Sequence, residues 1–174
     1  MAKQHGLTIL ELMVFLAVMA VLVTVGLPSL QGLIQEQRMV TATNQLVAAL
    51  NFARVRAVNG MGRVMVCPST DGASCTGGNR WDGGWIVFTD ADHSGQPTTP
   101  EDLLRVGPPM EHIHSDSGGR IRTRFKPDGM AHGFNLTIKL CHPHDASRHR
   151  AVIVANTGRI RSGPLPGHLR CAVP

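Results

Sequence analysis

Tyrosine is absent from this chain of 174 residues, and the aromatic content stops at two tryptophans and five phenylalanines. So few rings argue against a core built on aromatic packing and leave Val, Ile, Leu and Met to fill it. They also argue against a surface that grips single strands by stacking bases on rings, and no RRM or KH pattern is present. There is no Gly-x-Ser-x-Gly elbow, no phosphate loop and no His-Glu-x-x-His, so neither enzyme activity nor a cofactor is expected. No internal repeat occurs. Acidic residues all but vanish from the last third, where only Asp128 and Asp145 remain of the 12 in the chain.

Between Leu7 and Leu27 lie 21 residues with one charge, Glu11. As a helix this run is roughly 30 Å long, the thickness of a bilayer core. Lys3 and His5 precede it, which favours a cytoplasmic N-terminus and a domain on the far side of the membrane. A carboxylate inside such a span costs about 2.5–3.5 kcal/mol near mid-helix on insertion scales, so Glu11 calls for a purpose. The bland reading is a signal anchor with a stray glutamate near one end. The small residue Gly6 stands before the apolar run, whereas a secretory signal peptide carries its small-residue cleavage site after it.

Past Pro28 the helix is expected to resume over 29–60. Leu30, Leu33, Ile34, Val40, Leu46, Val47, Leu50 and Val55 give a helical stripe. Arg54 and Arg56 suit a helix C-terminus, and Asn59-Gly60 a stop. Beyond Gly60 the apolar period changes to two. Strands are predicted at about 62–67, 84–89, 103–107, 120–126, 133–141 and 149–155, with a short one near 159–162. A long helix followed by a run of strands indicates an α+β fold with a mainly antiparallel sheet. Trp85, Val87 and Trp81 are expected in its core.

The four cysteines, Cys67, Cys75, Cys141 and Cys171, are an even number in a domain expected in an oxidising space. Three pairings are open. Cys67–Cys75, closing the Pro68–Ser74 loop, and Cys141–Cys171, tying down the C-terminus, are favoured. Zinc is the alternative, since Cys141, His142, His144 and His149 are close in sequence, but Cys67 and Cys75 lack a second close-spaced pair to complete a finger. His142, His144, His149 and His168 are read as solvated residues that add positive charge in mild acid. Asp90, Asp92 and Ser94 hint at a calcium loop without its later glutamate.

Charge is divided unevenly. Residues 1–119 hold 7 Lys+Arg against 10 Asp+Glu, a net of −3, and residues 120–174 hold 10 against 2, a net of +8. Arg120, Arg122, Arg124 and Lys126 are spaced to share one face of a strand. Arg148 with Arg150, and Arg159 with Arg161, repeat the spacing, and Lys139 and Arg170 extend the patch. Gly158 allows a tight turn that projects Arg159 and Arg161 from a hairpin tip. The bland reading is a solvated sheet face. The density of arginine, whose planar fork of donors suits phosphate, favours an anionic partner.

Gly6, an apolar Leu7, Thr8 and a glutamate five places after the glycine resemble a class III, type IV prepilin leader. That resemblance implies cleavage by a prepilin peptidase between Gly6 and Leu7, N-methylation of Leu7, Pro28 as the family's helix-bending proline, and Glu11 as an assembly residue that pairs with the N-terminus of a neighbouring subunit. Leu7 departs from the commoner Phe. Cys67-Pro68-Ser69, the segment from Trp81 to Asp90, Phe125-Lys126-Pro127-Asp128-Gly129 and Asn156-Thr157-Gly158-Arg159-Ile160-Arg161 resemble the GspH/FimT family of minor pilins and type II secretion pseudopilins.

The resemblance implies a lollipop fold, with residues 1–6 a leader, 7–28 a transmembrane helix and filament core, 29–60 its amphipathic continuation, and 61–174 a β-rich head. It implies a single-pass protein of the bacterial inner membrane with its head periplasmic. After assembly into a pilus or pseudopilus the head can reach the cell surface. The partners implied are major and minor pilins or pseudopilins, the prepilin peptidase and, for FimT-type minor pilins of competent bacteria, DNA. Those pilins carry a C-terminal Gly-Arg-x-Arg associated with DNA binding, matched here by Gly158, Arg159, Ile160 and Arg161. The expected function is backbone-led, sequence-insensitive DNA binding in natural transformation, with Arg148, Arg150, Arg120, Arg122, Arg124 and Lys126 adding reach. The alternative is a structural pseudopilin of type II secretion, or a minor pilin that primes assembly, without DNA binding.

Overall fold

Thr8 opens the first helix. Its Oγ1 accepts the backbone N–H of Glu11 at 3.2 Å, a side-chain cap on an otherwise orphaned donor. Helix α1 then runs unbroken from Ile9 to Arg56. The computed structural model describes residues 8–143 and 145–171, without the side chains of 25–29 and Met61. Gly6 and Leu7, on which the cleavage and methylation sites fall, lie outside the described residues, as does His144.

The chain divides into two units, residues 1–37 and 38–174. In the first, the apolar side chains from Ile9 to Val23 are exposed, among them Phe15 at 59% and Leu16 at 57%. No helix among the described residues is long and apolar enough to cross a membrane. The apolar run of the sequence continues through Leu7 and through Val25 to Leu27, outside those described side chains.

In the second unit α1 buries Met39, Ala42, Leu46, Ala49, Leu50, Ala53 and Ala57. Their spacing of three and four marks one face of a 3.6-residue helix. Leu46 and Leu50 of the expected stripe lie on this face, but Val55 is exposed and four alanines complete it; Leu30, Leu33 and Ile34, in the first unit, are exposed. Small side chains let a helix backbone lie close to what it packs on. A single wider turn, Ala57–Met61, ends the helix where Asn59 and Gly60 leave helical angles.

Among the described residues eight short strands follow, all paired antiparallel. One sheet has the order β3-β2-β1-β5, from Leu103–Gly107, Trp85–Thr89, Val64–Pro68 and Thr123–Phe125. The other has the order β4-β6-β7-β8, from His114–Asp116, Leu136–Cys141, Arg150–Val154 and Ile160–Pro164. Val64, Val66, Trp85, Val87 and Phe125 of the first sheet join Leu136, Ile138, Leu140, Val152 and Val154 of the second in one core with the helix face. Trp81 is fully buried there, with its Nε1–H donating to Ser117 Oγ at 2.9 Å. On the far side of the first sheet Met65, Cys67, Ile86 and Phe88 form a smaller cluster with Cys75 and Leu103.

Two disulfides close the fold, Cys67–Cys75 and Cys141–Cys171, with Cα separations of 5.7 and 5.9 Å. The second fastens the C-terminal segment to the outer side of the second sheet. Leu165 N–H donates to the His149 carbonyl at 3.0 Å, and Lys139 Nζ donates to the Arg170 carbonyl at 2.9 Å. Lys139 also pairs with Asp116 at 2.9 Å, so it belongs to this strap rather than to a free basic patch.

The Cys141–Cys171 bond spans 30 residues, a loop length for which cross-linking contributes about 2–4 kcal/mol. Replacing both cysteines by serine should lower the unfolding free energy measured in urea by an amount in that range, and unchanged stability would show the strap to be energetically idle. Thiol titration should find no reactive cysteine before a reductant is added.

Candidate nucleic-acid interface

The arginines of the last third divide by what their guanidinium groups touch. The expected strand over 120–126 is shorter than the spacing suggests and forms only at Thr123–Phe125. Thr123 and Phe125 point into the core and are fully buried, so Arg122 and Arg124 do face the other way, as alternation requires. That side is not open. Arg122 NH1 donates to the Gly95 carbonyl at 3.1 Å. Arg124 lies over the Phe134 ring, 3.9 Å from its centroid. Burial, with Arg63 and Arg122 nearby, pushes its pKa below the usual arginine value against the opposing pull of Asp90. Arg120 NH1 donates to the Gly133 carbonyl at 2.7 Å. Arg122 and Arg124 are therefore half-buried against a loop carbonyl and a ring, while Arg120 holds the Gly133 carbonyl from an exposed position. The strand expected over 120–126 is corrected to Thr123–Phe125, because the chain on either side bonds to loops and turns instead of to a neighbouring strand. Lys126 is half-buried and begins a turn, its N–H donating to the Met130 carbonyl at 2.9 Å.

Arg148 and Arg150 flank the return into β7. Arg148 Nε lies 2.9 Å from Asp145 Oδ2 across one short helical turn. Hydrogen bonds from Ser147, then the Arg148 charge, hold the Asp145 carboxyl below its ordinary pKa. Arg150 is half-buried at the start of β7, opposite Leu140 and Pro164. His142 is buried and His149 half-buried, so these two are not the solvated residues expected; both serve the same loop. His149 Nδ1 accepts the His142 N–H, and His142 Nδ1 accepts the Asp145 N–H, each at 3.0 Å.

Arg159 and Arg161 differ from all of these. Both are exposed, and among the described residues no carboxylate pairs with either. Ile160 between them pairs with Val154 and packs on the core, which turns both arginines outward, roughly 7 Å apart along the chain. Arg159 directly precedes β8 and Arg161 is its second residue, and β8 is an edge strand whose outer side has no neighbour among the described residues.

The turn that leads to them is tightly built. Gly158 has φ +76°, and a Cβ there would lie 1.8 Å from the Gly129 carbonyl oxygen. Gly158 N–H donates to the Ala155 carbonyl at 2.9 Å, and Ala155 N–H to the Arg159 carbonyl at 3.0 Å. Facing it, Gly129 N–H donates to the Lys126 carbonyl at 2.8 Å. Ala131 N–H reaches the Asn156 carbonyl at 2.9 Å, and Gly133 N–H reaches Asn156 Oδ1 at 3.3 Å. From the last turn of α1, Arg54 Nε donates to the Gly129 carbonyl at 3.0 Å. The two turns and the helix end thus meet at one point. Sequence reasoning placed Arg54 at the helix dipole and missed this contact, which joins residues 75 apart.

The acidic loop ahead of β3 shows no ligand geometry. Asp90 Oδ1 accepts the Gly95 N–H at 2.8 Å. Asp92 accepts the Ser94 N–H and the Thr98 hydroxyl, and these bonds, the latter foremost, lower its pKa to about 2. Among the described residues no group of three His, Cys, Asp or Glu is placed to hold a metal.

Residues 42–158 match the family described as type II transport protein GspH, and residues 1–27 match the prokaryotic N-terminal methylation motif. The chain belongs to the GspH family. Two crystal structures of the type IV minor pilin FimU from Pseudomonas aeruginosa PAO1 share the fold of this GspH-family protein. The P21 form gives a TM-score of 0.60 at 19% identity, covering 74% of this chain and 90% of FimU. The P65 form gives 0.56 at 20% identity, covering 71% and 91%. No curated protein matches the chain. The protein is thus a type IV minor pilin or pseudopilin with the long helix and antiparallel sheets of that fold. Its methylation motif indicates anchoring in the inner membrane, and its family and fold are those of structural pilins. The family match ends at Gly158, so Arg159 and Arg161 lie just beyond the matched residues.

Gly158→Ala should be among the most damaging single-methyl additions in the protein. The φ of +76° is unfavourable for alanine, and the new Cβ meets backbone rather than a movable side chain. A loss of at least about 2 kcal/mol is expected in chemical denaturation, and wild-type stability would contradict the interlocked turns.

Proposed function

We propose that this GspH-family protein is a DNA-binding minor pilin of a type IV pilus, acting in DNA uptake for natural transformation. The observation that carries the reading is the pair Arg159 and Arg161: exposed, without a carboxylate partner among the described residues, and aimed to one side of an edge strand. Two guanidinium forks at that spacing suit the phosphates of a nucleic-acid backbone. Binding is insensitive to base sequence, because the contacts are to phosphate and rings for stacking are few. Arg148 and Arg150 contribute long-range attraction, and Arg120, Arg122 and Arg124 hold the loops beneath.

In this reading the prepilin peptidase cuts between Gly6 and Leu7, and Leu7 is methylated. Residues 7–28 lie in the inner membrane and later in the filament core, 29–60 continue the helix, and 61–174 form a periplasmic head displayed on the assembled pilus. Glu11 offsets the positive N-terminus of a neighbouring pilin. The GspH family description favours a second reading, a pseudopilin of type II secretion or a priming minor pilin without a DNA role. That reading gives no task to the exposed arginine pair. Deleting the gene and scoring transformation against exoprotein secretion and twitching separates the two.

Full-length protein in neutral detergent should bind duplex DNA with an affinity that falls steeply with salt. Arg159→Gln with Arg161→Gln should weaken binding and flatten the plot of log K against log salt by about two units, close to one per lost phosphate contact. Arg122→Gln should cost much less affinity, since its guanidinium is half-buried and donates to the Gly95 carbonyl. A double variant that binds like wild type, or an Arg122 variant that loses as much, would refute the assignment.

Glu11→Leu removes the one charge of the apolar run and should abolish incorporation into filaments while leaving the protein in the membrane. Sheared pilus fractions with wild-type amounts of the variant would disprove the assembly role.

A further inference from the structure

We propose that Arg54, at the end of the long helix, is the positioning residue for the Arg159 and Arg161 pair. This rests on the DNA-binding reading and adds to it a part that no motif contains.

The chain of contacts is short. Ala53 and Ala57, on either side of Arg54, are fully buried in the core, so the backbone that carries Arg54 is fixed. Its Nε–H donates to the Gly129 carbonyl at 3.0 Å. That carbonyl stands against Gly158, where an added Cβ would fall 1.8 Å from the oxygen and 3.1 Å from Arg54 Nε. Gly158 is thus held between a carbonyl and the guanidinium that fixes it. The two hydrogen bonds of the Ala155–Arg159 turn pass this constraint directly to Arg159.

The edge position of β8 explains why such a clamp matters. Among the described residues the strand has a hydrogen-bonded neighbour on one side, β7. A hairpin end held by one strand frays readily and lets its side chains sample many directions. Binding two phosphates from such an end carries the entropy of ordering it, and a preordered end avoids that loss. Arg54 supplies the second constraint from an element far from the hairpin in sequence. The one carboxylate in the facing turn, Asp128, turns its Oδ1 to the Met130 N–H at 2.8 Å, so it is engaged within its own turn.

Lysine cannot substitute. It carries the charge but has no N–H at the Nε position and presents a point charge in place of a fork. Arg54→Lys therefore separates geometry from net charge, and Arg54→Gln removes both. Each variant of the full chain, in neutral detergent, is titrated with fluorescent duplex DNA at several salt concentrations, alongside wild type and the Arg159→Gln, Arg161→Gln double variant. Hydrogen exchange is read at Gly129, Gly158 and Arg159.

Arg54→Lys should weaken binding about tenfold, as the loss of a charge-assisted hydrogen bond implies. Its salt slope should stay at the wild-type value, because both phosphate contacts still form, and exchange at Gly158 and Arg159 should be faster. The double variant should instead lose slope. Wild-type affinity and exchange in Arg54→Lys would overturn the positioning role and leave the DNA reading standing. A reduced slope would overturn it too, by making Arg54 itself a phosphate contact. Absence of DNA binding by the wild type would overturn both. If Arg54→Gln fails to fold, Arg54→Lys still decides the matter, and its exchange rates do so independently of DNA.

Discussion

The second unit depends on how closely two sheets can approach one helix. Ala42, Ala49, Ala53 and Ala57 offer almost no side-chain height, so strands from both sheets reach the same stretch of backbone and share one core. The bulky partners come from the strands, chiefly Trp85, Phe125, Leu136 and Ile138. With Met39, Leu46 and Leu50 of the helix filling the space between the alanines, close packing is satisfied without a large aromatic set. It also brings the last turn of α1 near enough to the loops for Arg54 to touch one of them.

The arginines show why charge counted along a chain differs from charge available in space. A net of +8 over residues 120–174 reads as one basic patch. Folded, it separates into guanidiniums that hold loop carbonyls, one that lies flat on a ring, one paired with Asp145, and the two at the start of β8 that face outward. Arginine serves both purposes because its fork satisfies several acceptors while its stem packs on apolar surface. Spacing by two reports only which face of a strand a residue takes. What stands opposite that face is decided by loops distant in sequence.

Much of the fold was legible in the sequence. The long helix, its stop near Asn59-Gly60 and the strand at 103–107 follow from periodicity and turn residues, and the α+β class follows from their order. Other features had no local signal. His114-Ser115-Asp116 has no β-branched or alternating character, yet it pairs with β6 as a strand. The alanine part of the helix face was hidden because alanine is a weak marker of burial, so the stripe read from larger residues found Leu46 and Leu50 but also took in the exposed Val55. The outward pair at Arg159 and Arg161 was visible through Gly158 and the alternation around Ile160. The meeting of Arg54, Gly129 and Gly158 was not, since each residue has an ordinary local explanation and only the tertiary fold brings them together.

The interlocked turns also restrict how the loops can vary. A residue inserted into Lys126–Gly129 would push its carbonyl through the space that Gly158 occupies, and one inserted into Ala155–Gly158 would do the reverse. Loops of this kind usually absorb changes of length one at a time. Here the two lengths are tied, so drift in either must be answered in the other. The 69–80 and 90–99 loops form a second linked pair of this kind, Cys75 N–H donating to Gln96 Oε1 at 2.7 Å and Gln96 Nε2 donating to the Cys75 carbonyl at 3.2 Å, separate from the turns that carry the outward arginines.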